Sequence, residues 1–127
     1  MKQYEILLKK DRVDFRAAQN LLKDISEGDG ELDYEVVLFH LHQSAEKLMK
    51  ANLAFNNIEF PEVHDLELLA KLCDEHNIST GLDLELLIEL SDYAVEGRYS
   101  FVSGEIGNIK KYVSMLDKAI SGSNIGK

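Results

Sequence analysis

The sequence predicts an all-α fold, an up-and-down antiparallel bundle of four to five helices. Apolar residues recur at steps of three and four along most of the chain, and no segment alternates with the period of two that marks a half-buried strand. The chain has one proline, Pro61, and its glycines are concentrated at a few breaks. Its 127 residues, 45% of them hydrophobic, suit one domain with a substantial core. We expect that domain over residues 1–121 and a flexible tail over 122–127.

The first helix is predicted from a stripe that alternates steps of four and three residues. Its members are Tyr4, Leu8, Asp11, Phe15, Ala18, Leu22 and Ile25. The polar, glycine-containing segment SEGDGELD at residues 26–33 then breaks the helix. Asp11 places a carboxylate on this apolar face, where an unpaired buried charge is costly. A basic or hydroxyl group on another helix would satisfy it, and so would an exposed end of the core.

The second helix should run from about Tyr34 to Asn57, and Pro61 should end it because the residue before a proline disfavours helical geometry. A shorter helix is expected at residues 65–76. The inward positions predicted for the second helix are Val37, Leu41, Ala45, Leu48 and Phe55, and those for the third are Leu66, Leu69, Leu72 and Cys73.

The fourth helix should begin near Leu82, after the break NISTG, and Ser103 is a plausible N-cap for the last helix. The interior positions predicted for the fourth helix are Leu86, Leu87, Leu90 and Ala94, and those for the last are Ile106, Ile109, Val113, Leu116 and Ile120.

Charge and composition narrow the classes of function. The chain carries 23 acidic and 14 basic residues, a net charge of −9, which opposes general binding to nucleic acid or anionic membranes. The single cysteine, Cys73, excludes an internal disulfide and a multi-cysteine zinc site, and its leucine neighbours predict a core position. The charged N-terminus is unlike a signal peptide, and no apolar run approaches the roughly 20 residues that span a bilayer. We expect a cytoplasmic protein.

The stretch FHLHQSAEKLMKA at residues 39–51 is the first candidate site. His40 and His42 point to different sides of a helix, whereas His42 and Glu46 share a face at i, i+4. A metal held there would need two further ligands, and the sequence has neither an H-E-x-x-H pattern nor a second histidine pair to supply them. We therefore expect neither a metal site nor a cofactor. In the simpler interpretation, Glu46 pairs with Lys50 on a solvated face and contributes about 0.3–0.5 kcal/mol.

Two further segments hold polar residues with open roles. His64, in EVHDLELL, either binds an anion beside a helix N-terminus or, with Asp65, only caps the helix. Arg98, in DYAVEGRYSF, lies between Tyr93 and Tyr99. An arginine among aromatic residues suits phosphate or base recognition, and it equally suits an anchor between helices or subunits.

These pieces together resemble the HEPN (higher eukaryotes and prokaryotes nucleotide-binding) domain family, over roughly residues 3–120. The resemblance lies in FHLHQSAEKLMKANLAFNNIEFPEVHDLELLAKL and in GRYSF. The matching residues, in order, are Gln43, Ala45, Glu46 and Lys47, then Lys50 and Ala51, then His64, Asp65 and Leu66 with Leu69 after them, and finally Arg98 and Tyr99.

The resemblance implies a helical bundle that often forms dimers. Many small prokaryotic members act with a minimal nucleotidyltransferase, as toxin–antitoxin or nucleotide-transfer pairs. Other members are ribonucleases that use an arginine followed, after four to six residues, by a histidine. Arg12, Arg16 and Arg98 are the arginines of this chain, and none has a histidine at that distance downstream. The usual ribonuclease motif is therefore missing.

Three hypotheses follow. The first is a module without catalysis of its own that binds nucleotide, a nucleotidyltransferase partner, or both. Its candidate residues are Gln43, Glu46, Lys47, Lys50, His64, Arg98 and Tyr99. The second is an RNA-cleaving toxin with a non-standard active site. The third is a structural homodimer in which the same residues serve only capping and packing.

Overall fold

The computed structural model describes residues 1–28, 34–95, 106–123 and 125, apart from the side chains of 93–95 and 106–108. These ranges contain five helices and no strand, which confirms the predicted all-α class. The helices are α1 (Gln3–Ser26), α2 (Tyr34–Phe55), α3 (Leu66–Glu75), α4 (Leu84–Val95) and α5 (Ile106–Ser121). No helix in the described ranges is long and apolar enough to cross a membrane.

Helix α2 is the centre of the bundle. It packs against each of the other four helices, and α1 lies along it most extensively. Thirteen of its 22 residues are buried, a larger share than one apolar stripe would account for. Polar side chains on α2 are therefore enclosed by neighbouring helices, and this enclosure determines the chemistry of the candidate site.

The core joins side chains from all five helices. Phe15 and Ala18 of α1 are buried against α2, and the predicted stripe of α1 is confirmed. Each fully buried leucine contributes on the order of 1.5–3 kcal/mol relative to an exposed one. The largest fully buried side chains are Leu38, Leu41, Leu48, Met49, Leu53, Leu66, Leu69, Leu87, Leu90, Ile109, Tyr112 and Leu116.

One predicted core position on α2 is wrong. Phe55 is 43% exposed, and its ring meets the Tyr4 ring of α1 edge-on, with 5.0 Å between the centroids. Phe55 is the last residue of α2, and the chain turns at Asn57, which has a φ of 58°. The apolar spacing on α2 therefore continues past Leu53, the last buried residue of this helix.

The ends of α3 follow local sequence. The Asp65 carboxylate accepts a hydrogen bond of 3.1 Å from the Leu68 backbone N–H, so Asp65 is the N-cap. His76 is the C-cap, and Asn77 after it takes the left-handed conformation that asparagine tolerates. Helix α4 begins at Leu84, two residues beyond the predicted start. The predicted N-cap of α5, Ser103, lies outside the described residues.

Candidate functional site

A buried carboxylate on α2 organises the first part of the site. Glu46 is 3% exposed; one of its oxygens, Oε2, accepts a hydrogen bond of 3.1 Å from Lys50 Nζ, and the other, Oε1, lies 2.9 Å from His64 Nδ1. A charge taken out of water at this depth must be compensated by partners, and Lys50 and His64 supply them. We call these three residues the Glu46 cluster.

The predicted pairing of Glu46 with Lys50 is confirmed, but its predicted place on a solvated face is wrong. The Lys50 side chain is also buried, and its ammonium lies 6.0 Å from the centroid of the Phe60 ring. The helical spacing of i, i+4 sets the pair, whereas the other helices packed around α2 remove it from water. Lys50 is thus held by an internal carboxylate and an aromatic face.

His64 is the exposed member of the Glu46 cluster. Its side chain is 75% exposed, although Nδ1 touches the buried carboxylate. Asp65 takes the capping position of α3, so His64 is available to reach α2. With Glu46 ionised, Nδ1 carries the proton that is donated, and in the neutral ring Nε2 on the opposite side is then an acceptor. The arrangement presents an oriented imidazole at the surface.

A second histidine lies behind this cluster. His42 is 2% exposed, and burial lowers its pKa, while the negative charge of Glu46 opposes that effect. Its Nε2 is buried and has no hydrogen-bond partner among the described residues. In the described part of the chain, no three histidine, cysteine or acidic side chains converge as metal ligands would. His42 is therefore a neutral, enclosed ring at neutral pH.

Lys47 belongs to a different cluster, between α1 and α2. Its Nζ donates to Asp14 Oδ2 at 2.5 Å, and Asp14 Oδ1 lies 2.9 Å from His40 Nδ1. Gln43, one turn from both His40 and Lys47 on α2, is half-buried. Sequence reasoning proposed Lys47 but missed Asp14, whose spacing of three residues from Asp11 places both carboxylates on the α1 face that meets α2.

Asp11 is the third polar contact between α1 and α2. Ser44 Oγ donates a hydrogen bond of 2.5 Å to Asp11 Oδ1, which is the hydroxyl partner that the sequence left open. Asp11 is fully enclosed, and its Oδ2 has no partner among the described residues. Burial raises the pKa of Asp11 from 3.8 to about 7, against the lowering effect of the Ser44 hydrogen bond.

The predicted site residues thus separate into two groups. Glu46, Lys50 and His64 meet directly, whereas Lys47 is paired with Asp14 on the α1 side. The remaining two candidates, Arg98 and Tyr99, lie outside the described residues. Both lysines are already neutralised by carboxylates, so the polar group that the described part of the site offers most openly is the imidazole of His64.

Comparison with known proteins agrees with this architecture. The family model of the HEPN domain matches residues 4–120, almost the whole chain. A search of curated proteins found no match, and a search of solved structures found none either. The matched range covers the five helices except the first residue of α1 and the last of α5, and it includes every residue of the Glu46 cluster. The chain therefore belongs to the HEPN domain family.

Proposed function

We propose that this HEPN domain is a binding module for a nucleotidyltransferase partner, or for nucleotide at the same surface, without catalysis of its own. The observation that carries the proposal is the Glu46 cluster. A buried carboxylate with two partners holds an imidazole that is three-quarters exposed. Holding a surface group in one orientation lowers the entropy that binding would otherwise cost.

The charges at this surface favour hydrogen bonding over a phosphate clamp. Lys50 is buried against Glu46, and Lys47 is bound to Asp14, so a phosphate would have to displace an internal carboxylate from either lysine. We therefore assign Lys50 to holding Glu46, and His64 to contacting the ligand or partner. Arg98 and Tyr99 stay candidates for phosphate binding and stacking, because an arginine among aromatic residues suits both.

The proposal is tested by thermal-shift titration of the purified chain with ATP and GTP, and by binding of a purified minimal nucleotidyltransferase. A ligand at 100 times its Kd should stabilise the fold by about 2.7 kcal/mol. We expect His64→Ala to weaken binding of the responding probe. His76→Ala is the matched control, because His76 is an exposed histidine at the other end of α3. The proposal would be contradicted if none of the probes binds with a Kd below about 1 mM.

RNA cleavage is the second candidate function, and one observation favours it. The contact between Glu46 Oε1 and His64 Nδ1 is the arrangement that orients an imidazole for general acid–base chemistry. If this candidate is correct, the purified chain cleaves RNA, His64→Ala abolishes cleavage, and Glu46→Gln reduces it. RNA that stays intact after prolonged incubation with the folded wild type would exclude it.

The expected homodimer also stays a prediction. If the role is structural alone, nucleotide should not change the melting temperature, and sedimentation should give twice the mass of one 14.4 kDa chain. Substitutions at Tyr93, Arg98 or Tyr99 should then change the sedimenting mass. A monomer in sedimentation would contradict this hypothesis.

A further inference from the structure

A second concave region lies away from the Glu46 cluster, between the α3–α4 connection and the C-terminal end of α5. It is a cavity of about 260 Å³, and none of its lining residues belongs to that cluster. Its polar lining comes from three parts of the chain: Asn52 of α2, Ser79 and Thr80 of the connection, and Lys118 and Ser123 at the end of α5. The cavity therefore has its own set of hydrogen-bonding groups.

One buried lining residue has hydrogen-bonding capacity that the described residues do not use. Asn52 is 7% exposed, and its Nδ2 donates to the Leu48 carbonyl oxygen at 2.8 Å, which leaves Oδ1 as an unused acceptor. The Ser123 hydroxyl also has no partner among the described residues, but it is closed off from solvent and so from the cavity. The Asn52 amide oxygen is thus an acceptor that a ligand in the cavity can use.

The connection is held close to α5 by backbone geometry. Gly81 has a φ of +78°, and a Cβ at this position would lie 3.5 Å from the Ala119 Cα. A residue with a side chain would be strained in that conformation, whereas glycine adopts it readily. Ser79 and Thr80, directly before Gly81, are thus positioned against the end of α5 by the backbone itself.

The charged residue that lines the cavity, Lys118, is not paired with a carboxylate of the described residues as the lysine of the Glu46 cluster is. Lys118 lies in the last turn of α5 and, within the described ranges, has no carboxylate at ion-pair distance. Lys47 and Lys50, by contrast, are both neutralised internally. An anionic group that reaches Lys118 would therefore displace no internal ion pair.

We propose that this cavity is a binding site for a compact polyhydroxylated molecule with one anionic group, in the chemical class of pentose phosphates. The amide oxygen of Asn52 and the hydroxyl of Ser79 pair with ligand hydroxyls, and Lys118 pairs with the anion. A volume of about 260 Å³ lies just below the usual 300–1,000 Å³ of sites for drug-sized ligands, which favours a ligand smaller than a whole nucleotide. This site is independent of the surface around His64.

The test is an NMR titration of the ¹⁵N-labelled full chain with ribose 5-phosphate, ribose and inorganic phosphate as separate probes. We expect saturable shifts at the amides of Ser79, Gly81 and Ser123 with ribose 5-phosphate, and weaker binding of the other two probes. Lys118→Gln should weaken ribose 5-phosphate about three- to tenfold and leave ribose unchanged. The control is Lys111→Gln, at an exposed lysine of the same helix.

Ser79→Ala separates binding from folding. It removes an exposed hydroxyl on the α3–α4 connection, so the Tm should stay the same. Binding of ribose 5-phosphate should nevertheless weaken about three- to tenfold. The proposal is overturned if no probe gives saturable shifts at these amides, or if Ser79→Ala and Lys118→Gln both bind like the wild type. In that case the cavity holds only water.

Discussion

The substitution Asp11→Asn tests whether the buried carboxyl between α1 and α2 controls the pH dependence of stability. Burial raises the pKa of Asp11 from 3.8 to about 7. Because this pKa is higher in the folded protein than in the unfolded chain, folding favours the protonated form. The stability that this provides is fully present below pH 3.8 and is lost as the pH rises through 7. Asparagine keeps an oxygen that can accept from Ser44, and it does not titrate.

The size of the effect follows from the two pKa values. Integrating the difference in bound protons from pH 5 to pH 8 gives a loss of about 2–3 kcal/mol for the wild type. No reduction for solvent screening is needed, because Asp11 is fully enclosed. The charged groups that influence Asp11, namely Arg12, Asp14 and Lys47, are present in both proteins. The difference between variant and wild type therefore isolates Asp11.

The assay is urea unfolding of both proteins at pH 5 and pH 8. We expect Asp11→Asn to gain about 2–3 kcal/mol of unfolding free energy over the wild type on going from pH 5 to pH 8. The comparison is needed because burial lowers the pKa of His42, and the stability tied to neutral His42 is lost as the pH falls. The quantity to compare is the change in unfolding free energy between pH 5 and pH 8 in Asp11→Asn minus the same change in the wild type. A value below about 0.5 kcal/mol would refute the reasoning that Asp11 is a desolvated acid.

Three further predictions concern other buried or capping groups. Glu46→Gln should lower the unfolding free energy by about 3–5 kcal/mol in urea titrations, because it leaves the Lys50 ammonium buried without a counter-charge. Adding Lys50→Met should recover much of this loss, and a double variant as unstable as Glu46→Gln would contradict this account. Asp65→Ala should cost about 0.5–2 kcal/mol in the same assay because the Leu68 N–H loses its cap, and an unchanged midpoint would argue against the cap. The Cys73 thiol should react with a disulfide reagent mainly after the protein is unfolded in urea, because burial raises the pKa of this thiol to about 11. Fast labelling of the native protein would disprove the burial of Cys73.

Local sequence was sufficient to predict the helices and several contacts within them, although not every helix end. The spacing of apolar residues placed α1 and its stripe from Leu8 to Ala18, because helical neighbours at three and four residues share a face in any fold. The same rule placed Lys50 beside Glu46, and an acidic residue before an apolar run indicated the start of α3 at Asp65. These interactions join residues within one or two turns, so they need no knowledge of the rest of the chain.

Only the tertiary structure decided which polar residues are buried and which distant groups meet. The sequence could not reveal that Glu46 reaches His64, 18 residues away, or that Ser44 and Asp11 meet across the α1–α2 contact, 33 residues apart. Those contacts depend on how the helices lie against one another, which local spacing does not specify. The enclosure of α2 on most sides then turns an ordinary surface ion pair into a buried one and leaves His64 as the exposed group of the Glu46 cluster.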